Sequence, residues 1–130
     1  MDFDWREYFL LAKWLAANLP TGVSQEAACR SAISRAYFGA YGHALNYATQ
    51  YLGFAPRNAS DDHGRLRAHL KRSRRRGTAD SLDRLRAWRN TCDYDANVGA
   101  DLVTTVAEGL READYVFSSL PPPTPATPTP

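Results

Sequence analysis

Arg89, Asn90, Asp93 and Tyr94 bring a cation, an amide, a carboxylate and a phenol together near the end of an otherwise helix-patterned segment. At 100° per residue Arg89 falls about 20° from Leu82, and Asp93 about 20° to its other side, so both lie on the stripe that carries Leu85 and Cys92. A charge on a core-facing stripe is costly to bury unless it is paired or put to use. Arg89 therefore has two readings. Its fork can line a cleft and take a phosphate, or it can close an internal ion pair with Asp93 four residues on. Arg35, inside Ser34-Arg35-Ala36-Tyr37-Phe38, repeats the situation in an earlier helix. Arg35 could also reach across to Asp93, which would leave Arg89 freer.

His63 and His43 are the side chains that could move a proton beside these arginines. The bland alternative for His63 is a helix cap or partly buried filler. His69 points away from the leucines of its own segment. Tyr94, with an ordinary pKa of about 10, is a poor base near neutral pH but a possible acid. No HExxH, GxGxxG, Walker loop or GxSxG occurs, so metalloprotease, dinucleotide and serine-hydrolase readings have no support. Cys29 and Cys92 share no metal-ligand spacing and make no disulfide framework. We expect no metal or other cofactor, and two reduced thiols in a cytoplasmic protein.

Helices must position these groups, and nearly the whole chain reads as helix. From Asp4 to Leu19, the residues Trp5, Tyr8, Ala12, Leu15, Ala16 and Leu19 share a face, with Asp4 as N-cap and Pro20 as the stop. Ser24 can cap a second helix running to about Leu52, ended by Gly53 and Pro56. It is apolar around most of its circumference, which makes it the central helix. Its stripe of Ser31, Arg35, Gly39, Gly42, His43, Asn46 and Gln50 is either its wet side or a place where another backbone or a ligand comes close. A short third helix from about Asp62 to Ser73 offers Leu66 and Leu70. A fourth runs from about Asp80 to Asp93 with Leu82, Leu85, Trp88 and Cys92 inward, Gly77 breaking the chain before it. A fifth, from about Gly99 to Ser119, presents Val103, Val106, Leu110, Ala113 and Phe117. The expected fold class is all-α, an antiparallel four- to five-helix bundle over residues 1–120. Residues 121–130 hold six of the eight prolines and form a Pro-rich tail, expected to be disordered.

The bulk numbers agree with one core-forming domain: 130 residues, 44% hydrophobic. No apolar run approaches the roughly 20 residues that span a bilayer, so no membrane partner is expected. The net charge is only +2, yet seven of the 16 basic residues fall between Arg65 and Arg76. Arg74, Arg75 and Arg76 stand consecutively there, and such a local basic surface could attract a polyanion. The alternative is a solvated loop and helix face.

Three short stretches carry a family resemblance. Ser34-Arg35-Ala36-Tyr37-Phe38, His63-Gly64 and Arg89-Asn90-Thr91-Cys92-Asp93-Tyr94-Asp95 resemble, in order and spacing, the bacterial HEPN branch found beside minimal nucleotidyltransferases. The resemblance covers roughly residues 5 to 118. It implies a HEPN-like bundle, a homodimer with the motif arginines meeting in a cleft, and a toxin–antitoxin or defence setting. It also implies RNA or a nucleotide as ligand. Active members of that superfamily cut RNA without metal, an arginine binding the phosphate and a histidine four to six residues later moving protons. Here the position after four intervening residues is Tyr94, and no histidine follows Arg89. Three functions follow as expectations: an RNA- or nucleotide-binding domain and candidate metal-independent ribonuclease, with Arg89, Tyr94 and His63 as the catalytic candidates and Arg35, Asn90, Asp93, His43 and Arg74–Arg76 as contacts; an inactive partner of a nucleotidyltransferase that modifies Tyr94; or a structural dimerisation module.

Overall fold

The computed structural model describes residues 2–98 and 101–122. Five helices and no strand are found among them: α1 (Arg6–Ala17), α2 (Gln25–Tyr51), α3 (Asp62–Arg72), α4 (Arg76–Tyr94) and α5 (Leu102–Ser119). The fold is an all-α bundle. The Ser24 hydroxyl caps α2 by accepting from the Ala27 amide at 3.1 Å, and Gly53 follows its end with a φ of +69°. Asp101 caps α5, accepting from the amides of Val103 and Thr104.

α2 packs against all four other helices. Ala28, Ala32, Ala36, Ala40, Ala44 and Ala48 form an i, i+4 row that is buried throughout, a low ridge over which neighbouring helices can come close. The stripe is wet at its ends, where Ser31, Asn46 and Gln50 are exposed, but its two glycines are buried. A Cβ on Gly42 would lie 2.1 Å from Cδ2 of Trp5, and one on Gly39 would lie 3.0 Å from the Trp5 carbonyl oxygen. The backbone that approaches there is α1 of the same chain.

Several boundaries and faces differ from the sequence reading. The inward residues of α1 are Phe9 and Ala12, while Leu19 is 59% exposed. The helix stops at Ala17, and the larger Phe9 ring wins the inward position by packing 5.4 Å from Phe117. On α5, Val103 is exposed and Leu102 packs on the core instead. α4 begins at Arg76, four residues before the expected Asp80. Arg74 itself adopts a φ of +64°, and the Arg75 amide donates back to the Leu70 carbonyl at 2.8 Å. The reversal is thereby complete before Gly77, which lies inside the first turn of α4. Leu66 and Leu70 are fully buried, as expected. The start of helix five at Gly99 and residues 123–130 of the Pro-rich tail lie outside the described residues.

Candidate functional site

The two motif segments meet where the C-terminal turns of α4 cross α2. Arg89 Nε stands 2.8 Å from Asp93 Oδ2, but it is buried and makes no hydrogen bond. The contact is Coulombic, with the N–H not aimed at the carboxylate. The outer nitrogens of Arg89 donate to Asn90 Oδ1 at 3.0 Å and to the Tyr94 hydroxyl at 3.4 Å. Its guanidinium carbon lies 4.8 Å from the centre of the Phe38 ring and 5.3 Å from that of Tyr94, both within cation–π range. Arg35 approaches the same Phe38 ring at 5.4 Å and the Tyr8 ring at 4.7 Å.

Arg35 does not pair with Asp93. It donates to the Ser34 hydroxyl at 3.5 Å, and Ser34 in turn donates to Asp93 Oδ2 at 3.3 Å. Two guanidiniums thus flank one carboxylate. An open depression beside them is lined by Arg30, Ser31, Ser34, Arg35, Cys92 and Asp93. Tyr94, next along α4 from Asp93, is 72% exposed. Arg30, unremarked in the sequence, fixes this corner. It donates to the carbonyls of Cys92, Asp95 and Ala96 at 2.8, 2.6 and 3.1 Å, satisfying acceptors that the end of α4 leaves open. Its place one turn before Ser34 was legible, but its backbone partners were not.

His63 opens α3 on the adjoining side. Its Nδ1 is hydrogen-bonded to the Tyr37 hydroxyl, and its ring stacks on Tyr41 at 4.0 Å and 5°. Burial pushes the Tyr37 phenol well above its ordinary value, and Arg86, Arg67 and Arg89 oppose that rise. Burial, followed by the same three arginines, pushes His63 down. The pair is therefore neutral at pH 7, with an imidazole able to accept a proton.

The remaining sequence-derived residues lie elsewhere. His43 donates from Nε2 to the Leu120 carbonyl at 2.9 Å and packs 4.6 Å from Phe117, which ties the end of α5 to α2. Arg74 and Arg76 are exposed at the α3–α4 turn, and Arg75 lies over Tyr47 at 5.8 Å. Arg76 precedes Arg89 by thirteen residues of α4, about 20 Å of helix, so this basic turn is at the far end of α4. Arg35, Arg89, Asn90, Asp93 and Tyr94 come together, with His63 within electrostatic reach of Arg89; His43 and Arg74–Arg76 do not join them.

Neither thiol offers chemistry. Cys29 and Cys92 are buried and free, and burial raises both pKa values. Among the described residues no three His, Cys, Asp or Glu side chains gather to hold a metal, and no helix is long and apolar enough to cross a membrane. An apolar groove of about 390 Å³ runs between α1, α2 and α5, past Leu15, Leu19, Ala28, Val103 and Leu110, and no arginine lines it. Compared with protein-family models, with curated proteins and with solved structures, the chain finds no match.

Proposed function

We propose that this chain is a HEPN-like domain that binds RNA or a nucleotide by its phosphate, through Arg89, Asn90 and Arg35. The observation that carries the reading is the convergence of Arg35 and Arg89 on one Phe38 ring, with Asp93 paired to Arg89 and reached from Arg35 only through the Ser34 hydroxyl. The open depression beside them is lined by two arginines, Arg30 and Arg35, and one carboxylate, Asp93, and guanidinium forks suit phosphate. A neutral His63 supports an acid–base role in metal-independent cleavage of that RNA. The resemblance adds a homodimer as the working unit and a toxin–antitoxin or defence setting, and the two free thiols support a cytoplasmic location. The test is single-stranded RNA binding and cleavage in excess EDTA, wild type beside folded Arg89→Ala. Binding that weakens in the variant supports the reading, and cleavage lost with it adds ribonuclease activity. Wild type that binds no RNA or nucleotide overturns it.

A second reading draws on the exposure of Tyr94. Its hydroxyl lies 3.4 Å from an Arg89 nitrogen, so an incoming phosphate could be held beside the phenol. The chain would then be the substrate and partner of a separately encoded nucleotidyltransferase. Co-expression with such an enzyme should raise the intact mass by one nucleotidyl group, and Tyr94→Phe should abolish the increment. An unchanged wild-type mass counts against it.

A further inference from the structure

Arg86 is the cation of this face that no carboxylate answers. It is only partly exposed, yet among the described residues no hydrogen bond or ion pair engages its guanidinium. Its neighbours are served: Arg67 Nε lies 3.4 Å from Asp83 Oδ1 and Arg89 Nε 2.8 Å from Asp93 Oδ2.

The register of α3 and α4 brings these groups to one level. The two helices form a hairpin whose turn is closed by the Arg75 amide on the Leu70 carbonyl. The Arg67–Asp83 contact sets their alignment. One turn back along α3, about 6 Å, His63 reaches the level of α4 at which Arg86 and Arg89 project. In agreement, Arg86, Arg67 and Arg89 all act on the Tyr37 hydroxyl and on His63. Asp62 beside His63 is engaged by Arg65, which leaves the three guanidiniums with Asp83 and Asp93 between them; they repel one another, and a bound anion would relieve that repulsion.

We propose that Arg86, Arg67 and His63 form a second anion subsite, one helical turn from Arg89, which takes the second of two linked phosphates. The inference rests on the phosphate reading of Arg89 for the first of them. Arg86 and Arg89 are separated by a rise of about 4.5 Å along α4, so their long side chains start from neighbouring levels of one helix. Their source is a single RNA strand or the diphosphate of a nucleotide.

The test uses the full chain, with fluorescence anisotropy of a labelled oligouridylate across a salt series and ADP as competitor. Arg86→Gln should weaken binding about tenfold, as expected for losing a charge-assisted hydrogen bond. It should also flatten the slope of log affinity against log salt by about 0.7, one phosphate contact on a single strand. Competition by ADP that needs Arg86 assigns the site to a nucleotide; oligouridylate binding that needs Arg86 while ADP is inert assigns it to RNA. Arg89→Gln weakening binding while Arg86→Gln leaves affinity and slope unchanged overturns the subsite and spares the first reading. Inorganic pyrophosphate gives an independent arm. It should raise the wild-type melting temperature and do less for Arg86→Gln, and this result would support the subsite even if oligouridylate failed to bind. Arg86→Gln alone should melt no lower than wild type, since it unpairs no carboxylate; a clear fall would make Arg86 a structural cation and overturn the proposal.

Discussion

Arg89 Nε stands 2.8 Å from Asp93 Oδ2 without donating to it. The two side chains are 19% and 27% exposed, so the pair is neither fully buried nor a free surface bridge. Loss of Arg89 leaves Asp93 with the Ser34 hydroxyl and access to water. Arg89→Ala should therefore cost about 1–2 kcal/mol, between the ranges for exposed and buried pairs. Urea unfolding measures this. A loss of about 4 kcal/mol would instead mark an internal structural ion pair and favour the dimerisation-module reading.

Asp62 holds the loop before α3. Its carboxylate accepts from the amides of Arg57, Asn58 and Ala59 and from the Arg65 guanidinium. The Arg57 amide is the foremost of the causes that keep its pKa below the usual carboxylate value. The folded form thus prefers the ionised group, and the stabilisation is full above about pH 4. It is lost as pH falls through the lowered folded value. Asp62→Asn should reduce the melting temperature at pH 7 and remove the part of the acid transition below pH 4; a variant with the wild-type acid profile would contradict this.

His43 and His63 act in a different window. Burial is the main cause lowering both, so the unfolded chain takes up their protons first. The stability they contribute is present above about pH 6.5 and is withdrawn as pH drops towards their folded values. Unfolding free energy should decline from pH 7 to pH 5, and His43→Gln should make that decline shallower. Imidazole titration by NMR checks the assignment: neither ring should titrate at or above the ordinary value.

Gly42 receives the Trp5 indole, whose Cδ2 would be 2.1 Å from an added Cβ. Alanine would gain about 1 kcal/mol in helix propensity, but the whole ring would have to leave its seat. Gly42→Ala should be net destabilising by about 1–2 kcal/mol, with a changed tryptophan emission. A stabilised variant would show that α1 is free to move off α2.

The five helices were legible because apolar spacing, the Ser24 cap and the breaker at Gly53 act locally, whereas α1 ends at Ala17 ahead of the expected stop at Pro20. The meeting of Ser34–Phe38 with Arg89–Tyr94 was foreshadowed by charges on core-facing stripes. The Arg89–Asp93 pair was legible from its i, i+4 spacing; the partners of Arg35 and Arg30 were not. Arg35 reaches Asp93 only through Ser34, a choice made by helix crossing rather than by residue type. Arg30 is bound by backbone carbonyls, which every sequence contains and none displays. The early start of α4 depended on a non-glycine residue, Arg74, accepting a left-handed turn. Phe9 displaced the expected Leu19 because contact with Phe117 decides the face of α1, and periodicity alone carries no knowledge of α5.

The central place of α2 has a kinetic corollary. Every other helix leans on it, and its buried alanine row leaves no layer that could peel away with its own core intact. Amide hydrogens in the middle of α2, around Ala36 to Ala44, should exchange only through global opening. Those of α3, which offers two buried leucines, should exchange through a smaller and more frequent event. The face bearing His63 and Arg67 would thus breathe while Arg35 stays fixed.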